Sequence, residues 1–360
     1  MMMSKTVVIA ITKHGIEIAR KLKTIMPEFD IYVPDKFNDG KDDVNWYSNS
    51  SAAEIGILFK SYEGLVCIFS LGAVIRLITP HMKDKKTDPA VVVIDDKSQF
   101  VISTLSGHLG GANALARLIA SILNAIPVIT TAADVNETIA VDLLGKEFGW
   151  VIDDDSTITK VSAHMVNENK VGVYQDVGER NWWSKDKPLP QNVYIVNNID
   201  ELDTEEYKAA LIITDQLLDS KYERLLQKSV VYRPKSLVVG IGLHWNTSKD
   251  DIMSGIQTTL KNTNLSFKSI KNIATINRKN TVKGLQEFLN EFIISVEYYD
   301  ENQLSEIDVP NPSDIVKKFE GTTSVSEASA MLSAENKTLL VPKQKFPPNL
   351  TVAVAKVKIN

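Results

Sequence analysis

From Thr6 to Ile11 the chain runs as a short β-branched block, after which Ile16, Ala19, Leu22, Ile25 and Met26 recur at helical spacing. Asp30 to Val33 is a second strand block, so the opening reads as a β-α-β unit. Asp35 to Asn49 is polar and turn-rich, which predicts a loop. A helical pattern (Ala52, Ile55, Leu58, Phe59) leads into the apolar strand Leu65 to Phe69, followed by a short apolar segment from Val74 to Ile78. Ala90 to Ile94 and Phe100 to Thr104 are two β-runs joined by Asp95-Asp96-Lys97-Ser98-Gln99, the signature of a hairpin. Leu115, Leu118, Ile119, Ile122 and Leu123 then repeat at helical spacing, a strand follows at Ile126 to Ile129, and Ile139 to Phe148 reads as a further helix.

Between Val151 and about Tyr232 the signals are short: strands at Lys170 to Tyr174, Val193 to Val196 and Ala210 to Thr214, with no glycine-rich strand end. Trp182-Trp183 is an aromatic pair more often used to pack a loop than to seat a ligand. Arg233-Pro234-Lys235 is read as a linker. Beyond it lie a strand at Ser236 to Gly240, a helix capped by Thr247 or Ser248, a strand at Asn272 to Ile276, a small-residue helix from Val325, and closing strands near Leu339 and Thr351. The pattern predicts the α/β class. Its N-terminal part, 1–136, is a three-layer α/β domain with a mostly parallel sheet, followed by a small α/β middle domain (137–232) and a C-terminal α/β domain (236–360).

A chain of 360 residues with 44% hydrophobic and 24% charged content has the balance of a globular protein with more than one core. The net charge of −5 argues against a general nucleic-acid partner. The single cysteine, Cys67, lies within an apolar run and reads as a buried small hydrophobe. Met1 to Lys5 passes directly into a strand pattern, and no apolar run reaches the ~18 residues of a membrane span, so a cytoplasmic location and no membrane partner are expected.

Candidate chemistry centres on Ser106-Gly107-His108-Leu109-Gly110-Gly111-Ala112-Asn113 at a strand-to-helix junction. Glycines there let backbone N–H groups approach a carboxylate or oxyanion, and His108 can exchange a proton near neutral pH. The bland alternative is a tight turn with a capping role for Asn113. Strand ends at Gly72, at Ser106 to Gly111 and at Thr130-Thr131 carry small or polar residues, and a largely parallel sheet would bring all three to one edge. Thr12 and Gly15 end the first strand, and Arg76 in apolar company needs an anionic partner. Gly240-Ile241-Gly242 lacks the third glycine of a dinucleotide fingerprint because Trp245 stands there, and no P-loop is present, which weighs against a nucleotide or sugar-phosphate module. Glu327 opens a helix, where a carboxylate is favoured by the helix dipole.

The run from Leu65 through Asp142 resembles the N-terminal domain of the cobalamin-biosynthesis family CbiG. The resemblance is carried by Leu71-Gly72, Arg76-Leu77-Ile78-Thr79-Pro80, the stretch from Lys83 to Val93, Leu105 to Asn113, and Pro127 to Asp134. It continues in Val239 to Gly242, Lys279, Gly321, Ser324 to Ala328 and Thr351 to Ala355. The chain departs from the family at Leu243-His244, where a Cys-Arg pair is frequent, and at Val282, where an acidic residue is frequent. The resemblance implies a cobalt-precorrin-5A hydrolase of the anaerobic pathway, in which water opens the δ-lactone of a ring-contracted cobalt corrinoid and acetaldehyde leaves. It implies His108 and Glu327 as catalytic residues. Thr12, Gly15, Gly72, Arg76, Lys83, Lys86, Asp88, Ser106, Gly107, Gly110, Gly111, Asn113, Thr130, Thr131 and Lys279 are then substrate contacts. No metal ligands or cofactor are expected, because cobalt arrives in the substrate, and hand-over to other cobalamin-pathway enzymes is an expected partnership. The alternative function is a non-catalytic corrinoid carrier.

Overall fold

The computed structural model describes residues 5–84, 86–108, 110–183, 187–278 and 282–358. They form two compact units, Met1–Leu143 and Leu144–Asn360.

The first unit is built on a seven-stranded sheet of β1 (Thr6–Ala10), β2 (Asp30–Pro34), β3 (Asn45–Tyr47), β4 (Gly64–Ile68), β5 (Ala90–Ile94), β6 (Phe100–Leu105) and β7 (Ile126–Val128), in the order β3-β2-β1-β4-β5-β6-β7. The strands are continuous apolar runs because both faces are covered. Val8, Ala10, Val66, Ile68 and Val92 face α1 (Lys13–Ile25) and α4 (Ala112–Leu123). Their neighbours Val7, Ile9, Leu65, Cys67, Val91 and Val93 face α2 (Ser51–Ser61) and α3 (Leu71–Ile78). Each such side chain contributes roughly 1.5–3 kcal/mol by leaving water. The expected three-layer α/β arrangement is therefore present, and Cys67 is buried in it.

All pairings in this sheet are parallel except β5 with β6, which is the expected hairpin. That reversal overturns the convergence of three strand ends. The carboxyl ends of β1 and β4, with Thr12, Gly15 and Gly72, lie at one edge of the sheet. Those of β6 and β7, with the glycine turn and Thr130-Thr131, lie at the other.

Two local readings are also corrected. Asp35 to Asn49 contains the edge strand β3. Ile139 to Phe148 is a series of turns ending in a 3-10 segment, Lys146–Phe148, because Gly145 and Gly149 take φ of 73° and 75°, outside the helical region.

The second unit holds two five-stranded sheets. The first comprises β8 (Val151–Ile152), β9 (Val171–Gln175), β10 (Val193–Val196), β11 (Ala209–Ile213) and β12 (Ser229–Arg233), ordered β10-β9-β11-β12-β8. The second comprises β13 (Leu237–Leu243), β14 (Ile270–Ile276), β15 (Ser295–Tyr299), β16 (Leu339–Phe346) and β17 (Leu350–Lys356), ordered β15-β14-β13-β17-β16. Ser248 caps the helix Lys249–Asn262 through a capping box, as its position predicts. Gly240 is glycine because the helix Val325–Ser333 lies across β13. A methyl group placed on it would sit 2.0 Å from the Ser326 carbonyl oxygen.

The predicted linker at Arg233-Pro234-Lys235 is not an exposed tether. Arg233 is buried, with Nη2 2.7 Å from Asp153 Oδ2. Just past β11, Asp215 is fully buried and joins the two sheets: Oδ2 accepts from Ser236 Oγ at 2.7 Å and lies 3.0 Å from Lys356 Nζ. Trp182 is also buried and donates to Gln175, which makes it a packing residue. Removing one member of a buried, hydrogen-bonded ion pair strands the other, at a typical loss of about 3–5 kcal/mol. Lys356 keeps some solvent, so Asp215→Ala is expected to lower unfolding stability by about 3 kcal/mol in urea titrations. An unchanged midpoint would mean that this clip does not hold the sheets.

Candidate active site

The glycine turn closes on itself before it offers anything to a ligand. Gly111 N–H donates to the His108 carbonyl, Ala112 N–H to that of Ser106 and Asn113 N–H to that of Gly107, each within 3.1 Å. The oxyanion role expected of Gly111 is thereby corrected, since its amide is already engaged. Gly110 is required because a Cβ there would meet Ser106 Cβ at 2.3 Å, and Gly111 because its φ is 84°. A Cβ on Gly107 would meet Asn113 Oδ1 at 2.7 Å. These glycines serve turn closure over Asn113.

Asn113 is buried at the start of α4 and uses every polar atom of its side chain. Its Oδ1 accepts from Ser103 Oγ at 2.7 Å, and its Nδ2 donates to Thr131 Oγ1 at 2.9 Å and to Asp134 Oδ2 at 2.8 Å. This stitches β6, α4 and the loop after β7 together and fixes Asp134. The other Asp134 oxygen accepts from Arg117 Nη2 at 2.9 Å.

His108 lies between two carboxylates. Nε2 is 2.7 Å from Asp134 Oδ2, and Nδ1 is 3.4 Å from Asp142 Oδ1. Its side chain is 17% exposed, so the ring is neither sealed nor freely solvated. The Asp142 carboxylate is the main cause that raises the imidazole pKa; burial opposes it, and Asp134 adds to it. Burial works to raise the Asp134 pKa, but hydrogen bonds from Arg117, His108 and Asn113 outweigh it and hold that carboxyl below its usual range. The shift is toward the protonated ring, with a carboxyl group of Asp134 or Asp142 at each ring nitrogen.

The other expected residues divide. At the edge shared with His108, Ser106 takes φ of 54° and its Oγ donates to the Asp88 carbonyl, while the buried Asp88 carboxylate accepts the Lys83 amide. Asp88 thus shapes the loop and is not open to a ligand. Lys83, Lys86 and Thr130 are exposed there. At the opposite edge Thr12 caps α1, accepting from Gly15 N–H and donating to Asp96, which also contacts His14. Arg76 is exposed, and a methyl group on Gly72 would lie 3.8 Å from its Nη1. Thr12, Gly15, Gly72 and Arg76 are therefore not parts of the His108 cluster.

In the second unit Glu327, expected to be catalytic, is fully buried. It accepts from the Asn311 side chain at 2.8 Å and from the amides of Asn311 and Lys343 at 3.1 and 3.0 Å, so both oxygens are engaged within the fold. Lys279 lies outside the described residues. Sequence reasoning missed Asp134, Asp142 and Arg117 as site residues. Asp134 follows a strand end of the right type, but nothing local pairs it with His108.

Three family models match the chain: Cobalamin synthesis G N-terminal over residues 54–134, Cobalamin biosynthesis central region over 139–234, and Cobalamin synthesis G C-terminus over 237–355. A protein of Priestia megaterium named cobalt-precorrin-5A hydrolase is 45% identical over 97% of this chain and 94% of its own length. One of the same name from Salmonella typhimurium is 29% identical over 96% of each chain. A solved cobalamin biosynthesis protein G homologue from Sulfolobus solfataricus aligns with 99% of this chain and 98% of its own at 22% identity and a TM-score of 0.38. The match runs through all three regions in order and at high identity over nearly the whole length, and the chain belongs to the CbiG family of cobalamin-synthesis proteins.

Proposed function

We propose that this chain is a cobalt-precorrin-5A hydrolase that opens the δ-lactone of a ring-contracted cobalt corrinoid and releases acetaldehyde. The observation that carries this reading is 45% identity over 97% of the chain to a protein bearing that name. The imidazole held between Asp134 and Asp142 fits the chemistry. Cobalt enters as part of the substrate, and the chemistry is assigned to side chains. No helix of the described residues is long and apolar enough to cross a membrane.

The residues divide the work as follows. Asp134, fixed by Asn113 and Arg117, holds the imidazole by Nε2. Nδ1, whose contact with Asp142 is the looser at 3.4 Å, faces the reacting ester. Asp142 takes a proton from the attacking water, and His108 gives its Nδ1 proton to the lactone oxygen as the acyl bond breaks. The neutral ring then takes the proton of the freed hydroxyl; as the C=O forms, the bond from that carbon to the macrocycle breaks, its electron pair passes into the conjugated ring and is protonated there by the imidazolium, and acetaldehyde leaves. A non-catalytic carrier would need none of this paired acid and base. Lys83 and Lys86, exposed at the same sheet edge, receive carboxylate arms of the macrocycle.

His108→Ala is expected to lower kcat by about 10²–10⁴-fold, read as trapped acetaldehyde under anaerobic turnover. A wild-type rate would remove His108 from the chemistry. Because the acid form of His108 works first and its pKa is raised, kcat/KM should fall as pH rises through that raised value. Asp142→Asn removes the main cause of the elevation, so this alkaline limb should move toward the unperturbed value near ~6.5 while the rate drops. A limb that stays in place or moves to higher pH would contradict the assignment. Replacing Lys83 and Lys86 together by Glu is expected to raise KM for the lactone several-fold at low salt, with the difference shrinking as salt is added. Salt-independent kinetics identical to wild type would exclude electrostatic capture by this loop.

A further inference from the structure

The second unit contains a cleft of ≈ 610 Å³, within the roughly 300–1,000 Å³ typical of small-molecule sites. One side is the end of β13 and Trp245, and another is the helix Asp314–Glu320. The turn between β16 and β17 closes it. Three large apolar side chains on its walls are left in water: Trp245 is 49% exposed, Ile315 72% and Phe319 77%. Ile315 and Phe319 are one helical turn apart and present a single apolar face.

The Trp245 ring is held in place. The Arg278 guanidinium lies over it at 5.3 Å and is itself paired with Glu320 across the cleft. Among the charged residues lining the cleft, Arg278, Lys343 and Lys345 oppose the single carboxylate of Glu320, in a chain whose net charge is −5. Lys343 Nζ donates to the Asn311 carbonyl, whereas the exposed Lys345 ammonium makes no hydrogen bond or ion pair among the described residues. A fixed indole, an exposed phenyl ring on another wall and an unpaired ammonium at the rim suit a broad, flat, conjugated ring that carries carboxylate arms. Three exposed apolar side chains fall far short of the roughly 800 Å² per partner of a stable protein interface.

We infer that this cleft binds the macrocycle of the corrinoid substrate, with its ring against Trp245 and Phe319 and a carboxylate arm at Lys345. The inference rests on the reading under Proposed function for the identity of the ligand. It assigns the second unit a share in substrate binding without placing chemistry there.

The test uses the full chain with two probes that carry no lactone: cobyrinic acid, whose arms are free carboxylates, and its heptamethyl ester, whose arms are uncharged. Hydrogen–deuterium exchange on adding cobyrinic acid should slow in residues 314–320 and around Trp245. The double variant Trp245→Ala/Phe319→Ala should lose roughly tenfold or more in affinity for both probes, since stacking on each aromatic ring is comparable to that in base recognition. Lys345→Glu, a surface change that leaves packing intact, should weaken cobyrinic acid and leave the ester unaffected. Absence of protection at 314–320 overturns the inference. So does wild-type affinity in the double variant, including the case where only its oligomeric mass changes. Acetaldehyde release is measured separately. A wild-type chain that binds at this cleft but releases no acetaldehyde refutes the hydrolase reading, and one that releases it with variants of full affinity refutes only the cleft.

Discussion

The antiparallel pairing of β5 with β6, Val93 opposite Ile102 and Ile94 opposite Val101, decides which polar loops of the first unit meet. In a wholly parallel sheet every strand would deliver its following loop to the same edge, and Thr12, Gly72 and His108 would share a crevice. One hairpin reverses the last two strands. The turn carrying His108 and the loop carrying Asp134 then fall beside each other, at the edge where the segment before β5 brings in Lys83 and Asp88. The Ser106 hydroxyl bonded to the Asp88 carbonyl marks that meeting. The contact of His108 with Asp134 depends on that reversal, since Asp134 reaches Nε2 only because β7 runs parallel to β6.

Within the cluster the electrostatics are nearly balanced. Two carboxyl groups flank one imidazole, and Arg117, half in solvent, pairs with Asp134 from outside. The closer carboxylate, Asp134, is occupied by three donors and has little freedom, whereas Asp142 contributes most to the raised imidazole pKa through a longer contact. A tightly held partner orients the ring and a loosely held one can exchange its place with water, which is the division of labour that acid–base chemistry at an ester requires. Both carboxyl groups favour the protonated imidazole. Losing its proton would leave two carboxylates facing each other across a neutral ring.

Local chemistry was legible in the sequence and distant pairing was not. The strand runs, the hairpin at Asp95 to Gln99, the cap at Ser248 and the burial of Cys67 follow from spacing and side-chain type over a few residues. The glycine turn was located correctly, but its closure on its own chain was not legible, because glycine next to a helix looks the same whether it admits a ligand or admits its own chain. Here Gly110 makes room for Ser106 and Gly107 for Asn113. Glu327 stands where a helix-start carboxylate belongs, and only the fold reveals that Asn311 and Lys343 surround it. Asp142 lay in a stretch read as helix, whereas it sits in a turn with its carboxyl 3.4 Å from His108 Nδ1. Arg233-Pro234-Lys235 has linker composition, yet the buried Arg233–Asp153 pair makes it part of a core.

A lactone on a large polyanionic ring offers a small neutral reacting group and a wide surface that does not react. Binding energy from that wide surface can hold the ester at His108 without stabilising the transition state unless it is tied to orientation. Lysines at a loop rim act at long range and are screened by salt, whereas aromatic contact acts only at van der Waals distance, so a charged rim suits capture and an aromatic wall suits close seating. The two aspartates add a third effect. An uncharged lactone can approach Asp134 and Asp142 without repulsion, but its hydrolysis creates a new carboxylate beside them. Like charges at such range in a partly buried site oppose each other by several kcal/mol at an effective dielectric constant of about 20. On the proposed assignment, the carboxyl groups on either side of His108 oppose the new carboxylate of the product, which favours its release over reclosure of the ring.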